Sequence, residues 1–251
     1  MRRVRIIPVL LLNKGGLYKT IKFKNPKYVG DPINAVKIFN EKEADELLLL
    51  DYKASVENRK PDYTKIKEIA EEAFMPMAYG GGIKNLEDAK KVFDCGFEKI
   101  VLNSILFENI SLIEQVANIY GSQSVVGCID VKKNIFGKYY VYSFSGTKNT
   151  SKEPLKWAKE IESKGVGEII LNSIDNDGTW NGYLFDLIKE VAHKINVPMI
   201  ACGGAGSEED FRKAVAAGAS AVAAGSMFVF QKKEMGVLIS FPSSLKITKY
   251  T

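Results

Sequence analysis

The sequence predicts an α/β fold, a single (β/α)8 barrel of the TIM type spanning residues 1–251, in half-barrels of about 1–122 and 123–251. Three observations predict it. Eight short apolar runs alternate with amphipathic stretches. The runs are continuous, without the period-two alternation of a half-exposed strand, which fits parallel strands buried on both faces. The chain also repeats itself at one constant offset. Its 251 residues suit one such barrel, which fills about 250.

Val4 to Leu12 is the first run, and Leu47 to Leu50, closed by Asp51, the second. Met75 to Tyr79, Lys99 to Leu102 and Val125 to Ile129 follow. Glu168 to Leu171, Val197 to Ala201 and Ala219 to Ala224 complete the eight. Helical patterns lie between them. Pro32 to Glu43 carries Ile33, Val36 and Phe39 at helical spacing, with Pro32 suited to a first turn. Asn85 is an N-cap candidate ahead of Leu86 to Asp94, with early acids and Gly96 as a stop. Ser207 to Ala217 with Gly218 repeats that design, and Ser207 with Asp210 has the form of a capping box.

The repeat pairs Pro76 with Pro198, Gly81 with Gly203, and Gly82 with Gly204. Asp88 pairs with Asp210, Gly96 with Gly218, Ser104 with Ser226 and Glu46 with Glu168. Every separation is 122 residues. A period of half the chain indicates two four-unit halves, unlike the 20–50 residue period of solenoids.

Composition narrows the function classes. The charge of +5 is a mild excess, and Lys and Glu alternate along the chain, so a nucleic-acid partner is not expected. Cys95, Cys128 and Cys202 are far apart, and His193 is the only histidine. Neither a disulfide scaffold nor a metal site is expected, nor any other cofactor; the pattern suits a reducing cytoplasm. No signal peptide and no membrane-length apolar stretch are read in the chain.

In a parallel barrel, function sits at the C-terminal ends of the strands. Gly80-Gly81-Gly82 and Gly203-Gly204 follow two strands, and Asn103-Ser104 and Gly225-Ser226 end the strands after those. Such glycines either only permit tight turns or let backbone N–H groups approach an anion, with help from a following helix N-terminus. Two cradles suit a ligand with a phosphate at each end. Asp51 and Asp130 close strands, and Asp177-Gly178 follows another. An acid at such a strand end is a candidate proton-transfer group; a turn signal is the competing reading for Asp177 and a capping acid that for Asp130. Aligning Arg5–Leu11 with Ser124–Asp130 sets Leu11 opposite Asp130, where a symmetric barrel with paired acids would hold a second Asp.

The chain resembles the HisF family, the cyclase subunit of imidazole glycerol phosphate synthase, over nearly its full length. Matching stretches include Gly30-Asp31-Pro32, Ala54-Ser55-Val56-Glu57, Gly121-Ser122-Gln123, Ser145-Gly146 and Ser173 to Thr179. Gly80 to Ile83 and Gly203 to Gly206 match too. The resemblance implies a heterodimer with a HisH-like class I glutaminase, whose ammonia crosses the barrel core to a bisphosphate substrate. It implies a catalytic role for Asp130. It implies phosphate or substrate contacts from Gly82, Asn103 and Ser104 at one site. Asp177, Gly178, Gly204 and Ser226 would serve the other, with Lys19 on the first βα loop. It further implies an ammonia gate of Arg5, Glu46, Lys99 and Glu168 at the N-terminal mouth. A ring that only stabilises the barrel floor is the competing reading, since unpaired charges there are costly.

The departures from the family pattern are specific. Leu11 replaces the first of two catalytic aspartates, Asn172 a pocket threonine and Cys202 a pocket serine. Gly236 and Pro242 interrupt 231–251, where the family carries a long last helix. These features resemble a divergent branch that supplies ammonia to a sugar amidotransferase for surface-sugar biosynthesis. A working cyclase of histidine biosynthesis is the alternative, and a non-enzymatic phosphosugar-binding scaffold a third. Lys138 to Ser145 alternates like a hairpin strand and reads as a flap over the mouth or as plain loop packing. His193, late in a helix, is given no catalytic role.

Overall fold

A computed structural model describes residues 2–233, 236–242 and 247–249. Eight parallel strands form the barrel: β1 (Arg5–Asn13), β2 (Leu47–Asp51), β3 (Met77–Gly80), β4 (Lys99–Leu102), β5 (Val125–Lys133), β6 (Glu168–Ser173), β7 (Met199–Cys202) and β8 (Ala221–Ala224). Each pairs in parallel with the next, and β8 pairs with β1, so the sheet closes and has no barrel edge. Helices α1 (Pro32–Glu41), α2 (Tyr63–Ala70), α3 (Leu86–Asp94), α4 (Leu112–Tyr120), α5 (Pro154–Ser163), α6 (Phe185–Ala192) and α7 (Glu208–Ala216) fill the crossovers.

The expected runs at Met75 and Val197 begin two residues later as strands. Pro76 and Pro198 have no N–H to give a ladder, so only their carbonyls join, accepting from Leu47 and Ile169 at 2.9 and 3.0 Å. The offset of 122 thus recurs in the hydrogen bonds. It recurs again where Glu98 and Ser220 donate their N–H groups to Met77 and Met199. The caps repeat too. Asn85 accepts from the Asp88 N–H, and Ser207 with Asp210 forms a complete capping box.

Alternate strand residues face two cores. Outward side chains such as Ile6, Leu10, Leu47, Leu49 and Ile169 pack under the helices. Inward ones form a separate cluster of Ile7, Val9, Leu11, Leu48, Ala78, Val101, Val126, Cys128, Ile170, Ile200, Ala221 and Ala223. The last helical position departs. After β8 the described residues hold a single helical turn, α8 (Ser226–Val229). Val237 then bridges Phe230, Phe241 packs on Phe228, and Ile247 accepts from the Val4 N–H at 2.8 Å. Residues 236–242 hold no helix, as the interruption by Gly236 and Pro242 leads one to expect, while 234–235, 243–246 and 250–251 lie outside the described residues.

Candidate functional site

Both ends of the barrel carry buried charge. At the N-terminal end Arg5, Lys99 and Glu168 each open a strand, and Glu46 immediately precedes one. Their side chains close a ring. Arg5 donates to both Glu46 and Glu168. Lys99 Nζ donates to Glu46 Oε1 at 3.0 Å and to Glu168 Oε2 at 2.8 Å. Burial by itself would lower the Arg5 pKa, but the facing carboxylates of Glu168 and Glu46 win and raise it above its ordinary value. Two cations share two buried anions, so no charge in the ring is left unpaired.

The C-terminal mouth holds two cavities. The first, of about 130 Å³, is lined by Leu11, Gly82, Asn103, Ser104, Asp130 and Asn172, among others. Asp130 ends up here because β5 runs four residues past Ile129 to pair with the strand Tyr139–Ser143. Its carboxylate receives Nδ2 of Asn103 at 2.9 Å and Nδ2 of Asn172 at 2.8 Å. Burial pushes Asp130 up to about 6, against the pull of the two amides and with a smaller push from Asp177. An acid titrating there can hold or give up a proton near neutrality. The Oδ1 atoms of Asn103 and Asn172 are buried and meet no donor among the described residues, so each can accept from a ligand.

Leu11 lines the same cavity and is nearly buried. Asp51 also lines it, but Arg59 clamps that carboxylate at 2.9 and 3.1 Å and the Ala54 N–H adds a third bond. Asp51 is therefore an acid engaged by the loop after β2, not one free for proton transfer. Asp130 is left as the carboxylate on this cavity without a cationic partner among the described residues.

The second cavity, of about 500 Å³, is lined by Lys19, Gly178 and Ser226. The hairpin of Gly16–Ile21 and Lys24–Gly30 folds across the mouth to reach it. Asp177 anchors that hairpin. Its Oδ1 receives Lys19 Nζ at 3.1 Å, its Oδ2 the Thr20 hydroxyl at 3.0 Å, and its carbonyl the Lys22 N–H at 2.9 Å. Thr20 lines both cavities.

The expected phosphate set therefore divides. Gly82, Asn103 and Ser104 share the first cavity with Asp130, while Lys19, Gly178 and Ser226 share the second. Asp177 and Gly204 are not on the lining of the second cavity, and Asp177 reaches it through Lys19 and Thr20. The glycines have a structural reason as well. A Cβ on Gly82 would sit 2.7 Å from the Arg59 carbonyl, and one on Gly204 2.2 Å from that of Gly182. Both residues have φ between +75° and +114°. The Gly82 and Gly204 N–H groups donate to no backbone carbonyl among the described residues, which leaves them for an anion.

The expected help from helix N-termini is smaller than the sequence suggests. Ser104 and Ser226 start single turns, and α3 and α7 spend their first donors on Asn85 and on Ser207 with Asp210. The flap expectation meets a real arch. Phe144 donates its N–H to Ser104 Oγ at 2.8 Å, and the Ser145 hydroxyl donates to the Tyr52 carbonyl, across the first cavity. His193 lies at the C-terminal cap of α6 with Nδ1 2.7 Å from the Lys189 carbonyl, away from both cavities. Sequence reading had Asn172 in the pocket but not its bond to Asp130, and it missed the Arg59 clamp, for which the chain carries no local signal.

Among the described residues no helix is long and apolar enough to cross a membrane, and no group of three or more His, Cys, Asp or Glu is placed to hold a metal ion.

Fold and site together define a (β/α)8 barrel with a charged floor and an acid-bearing mouth. The chain belongs to the family described as histidine biosynthesis protein, whose model matches residues 5–234. It is 53% identical to the Pseudomonas aeruginosa protein named "Putative imidazole glycerol phosphate synthase subunit hisF2", over 98% of this chain and 99% of that one. It is 50% identical to a Vibrio vulnificus protein similarly named hisF3, over 97% of this chain and 94% of that one. An Exiguobacterium sibiricum protein named imidazole glycerol phosphate synthase subunit HisF is 40% identical over 89% of this chain and 90% of its own. The chain is HisF-like, of the imidazole glycerol phosphate synthase cyclase-subunit type.

Proposed function

We propose that this chain is the barrel subunit of a glutamine amidotransferase complex serving amidation in surface-sugar biosynthesis. A HisH-like class I glutaminase docks at the floor and releases ammonia beneath the ring of Arg5, Glu46, Lys99 and Glu168. The ring is the gate. Movement of Lys99 or Arg5 opens a path between the inward side chains, where Ala78, Ala221 and Ala223 leave the least bulk. Ammonia emerges at the mouth and passes to a sugar amidotransferase. A phosphorylated ligand spans the cradle of Gly82, Asn103 and Ser104 and that of Lys19, Gly178 and Ser226. Gly204 shapes the second cradle, and Asp177 holds Lys19 over it.

One observation carries the choice against ring closure. Leu11 puts hydrocarbon on the cavity where Asp130 is the sole carboxylate without a cation among the described residues. A leucine transfers no proton, and one positioned acid–base group is worth about 10²–10⁴ in rate. Ring closure needs a proton removed and another supplied, and Asp130 is left to do one of these. A working cyclase of histidine biosynthesis with altered acid–base groups is the second reading. The names of the relatives favour it, and Asp130 near neutrality could serve as its remaining acid. A pure scaffold needs the ring only to stabilise the floor, where the half-buried Arg5 and Lys99 hold the buried Glu46 and Glu168.

The deciding experiment is cyclase turnover with the bisphosphate substrate and ammonium salt, for the wild type and for Leu11→Asp. Negligible wild-type turnover, rising at least ~10-fold in Leu11→Asp, is expected. Wild-type turnover comparable with that of an authentic HisF sinks the amidation reading in favour of the cyclase. Loss of coupling between glutamine hydrolysis and amidation in Lys99→Met is expected in the complex; unchanged coupling favours the scaffold.

A further inference from the structure

The second cavity is larger than a single phosphate needs and continues outward past Ser226. Its 500 Å³ lies in the range of sites for whole small molecules. At its inner end Lys19 is 5% exposed and Ser226 6% exposed, so both face the cavity from within the protein. The Lys19 ammonium is already balanced by Asp177 at 3.1 Å. Lys27 and Lys233, on the outer lining, have no acidic partner among the described residues. The sum is Lys19, Lys27 and Lys233 less Asp177, or a surplus of two positive charges. Phe230 and Trp180 complete the outer wall, and Lys27 Nζ lies 5.3 Å from the Phe230 ring centre.

We propose that this cavity binds a nucleoside diphosphate group, with the inner phosphate at Lys19 and Ser226, the outer one between Lys27 and Lys233, and the ring against Trp180 or Phe230. The inference rests on the second phosphate cradle proposed above and extends it outward. Two surplus cations match a second phosphate, which a monophosphate ester would leave unused. Aromatic faces accept any flat base, because every base presents a π-face. The hairpin that carries Lys19 and Lys27 sets the spacing of the two phosphate positions, since both lysines stand on paired strands and face each other in register.

The experiment is calorimetric titration of the full chain with inorganic phosphate, inorganic pyrophosphate, and uridine and adenosine diphosphates at one ionic strength. Pyrophosphate should bind at least ~10-fold tighter than phosphate, since two added cations act on the second group. A nucleoside diphosphate should gain a further ~3-fold or more through stacking. The double variant Lys27→Ala with Lys233→Ala should erase the pyrophosphate advantage and leave phosphate affinity within about twofold. The protein has two tryptophans, and Trp157 is buried and lines neither cavity, so the Trp180 fluorescence should change with nucleoside diphosphate and far less with pyrophosphate. Phosphate binding with no gain for pyrophosphate overturns this inference and leaves the cradle standing. So does an equal loss of phosphate and pyrophosphate in the double variant. Absence of phosphate binding, or phosphate binding that Ser226→Ala leaves unchanged, overturns the cradle itself and this inference with it.

Discussion

Asn172 donates its side-chain amide to the carboxylate of Asp130 across 2.8 Å, and the two residues stand directly opposite each other on adjacent strands. The pairing fixes the acid in the mouth without neutralising it. An amide satisfies a lone pair but supplies no positive charge, so burial still governs the titration of Asp130.

That balance sets a pH dependence. The folded pKa of about 6 lies above the ordinary 3.8, so the native state holds this proton more tightly than the unfolded chain. The contribution is full below about pH 4 and is lost as pH rises through 6. Asp130→Asn should therefore be more stable than wild type by ~1–3 kcal/mol at pH ~8 and equal to it near pH ~4. Urea unfolding of both proteins at the two pH values is the check. Parallel curves would mean that the carboxylate is not desolvated.

A second carboxylate on the cavity should sharpen the same effect. Leu11→Asp places an acid on the lining that Asp130 shares, and two like charges there cannot both ionise freely. The pair should titrate in two steps, the upper one above the wild-type value. Carboxyl carbon NMR across pH 4 to ~9 reads this directly. A single wild-type-like step would place the two side chains out of electrostatic reach.

The floor ring should behave as one unit. Lys99→Met leaves Glu46 and Glu168 sharing Arg5 alone and should cost ~1–3 kcal/mol, discounted because Arg5 and Lys99 keep some water. Adding Glu46→Gln to Lys99→Met should cost less than the sum of the single changes. Strict additivity in denaturant melts would show that these are independent surface pairs.

Lys19→Met should loosen the first hairpin. It leaves the hairpin tied to Asp177 through Thr20 and the Lys22 amide, so exchange protection across 16–30 should fall while the barrel strands stay protected. Amide hydrogen exchange measures both. Unchanged protection would mean that backbone pairing alone keeps the hairpin down.

The repeated helix caps give a control with no bearing on the site. Ser207→Ala and Asn85→Ala should each cost ~1 kcal/mol, with the larger loss at Ser207, where the box is reciprocal. Thermal melts suffice.

The sequence by itself determined the barrel, its repeat and its caps. Continuous apolar runs, prolines before strands and Ser or Asn before acids act over a few residues, and local physics turns them into strands, register and helix starts. It also matched Leu11 of the first strand with Asp130 of the fifth, although that strand runs on to Lys133 instead of ending at the acid. Only the tertiary structure decided which acids are free. Asp51 and Asp130 look alike in the chain. Arg59 occupies one, while Asn103 and Asn172, 27 and 42 residues away from it, leave the other uncharged by any cation. The joining of Lys19 to Asp177 across 158 residues was decided there too, because a charge's partner depends on what folding brings near, which no short stretch of sequence encodes.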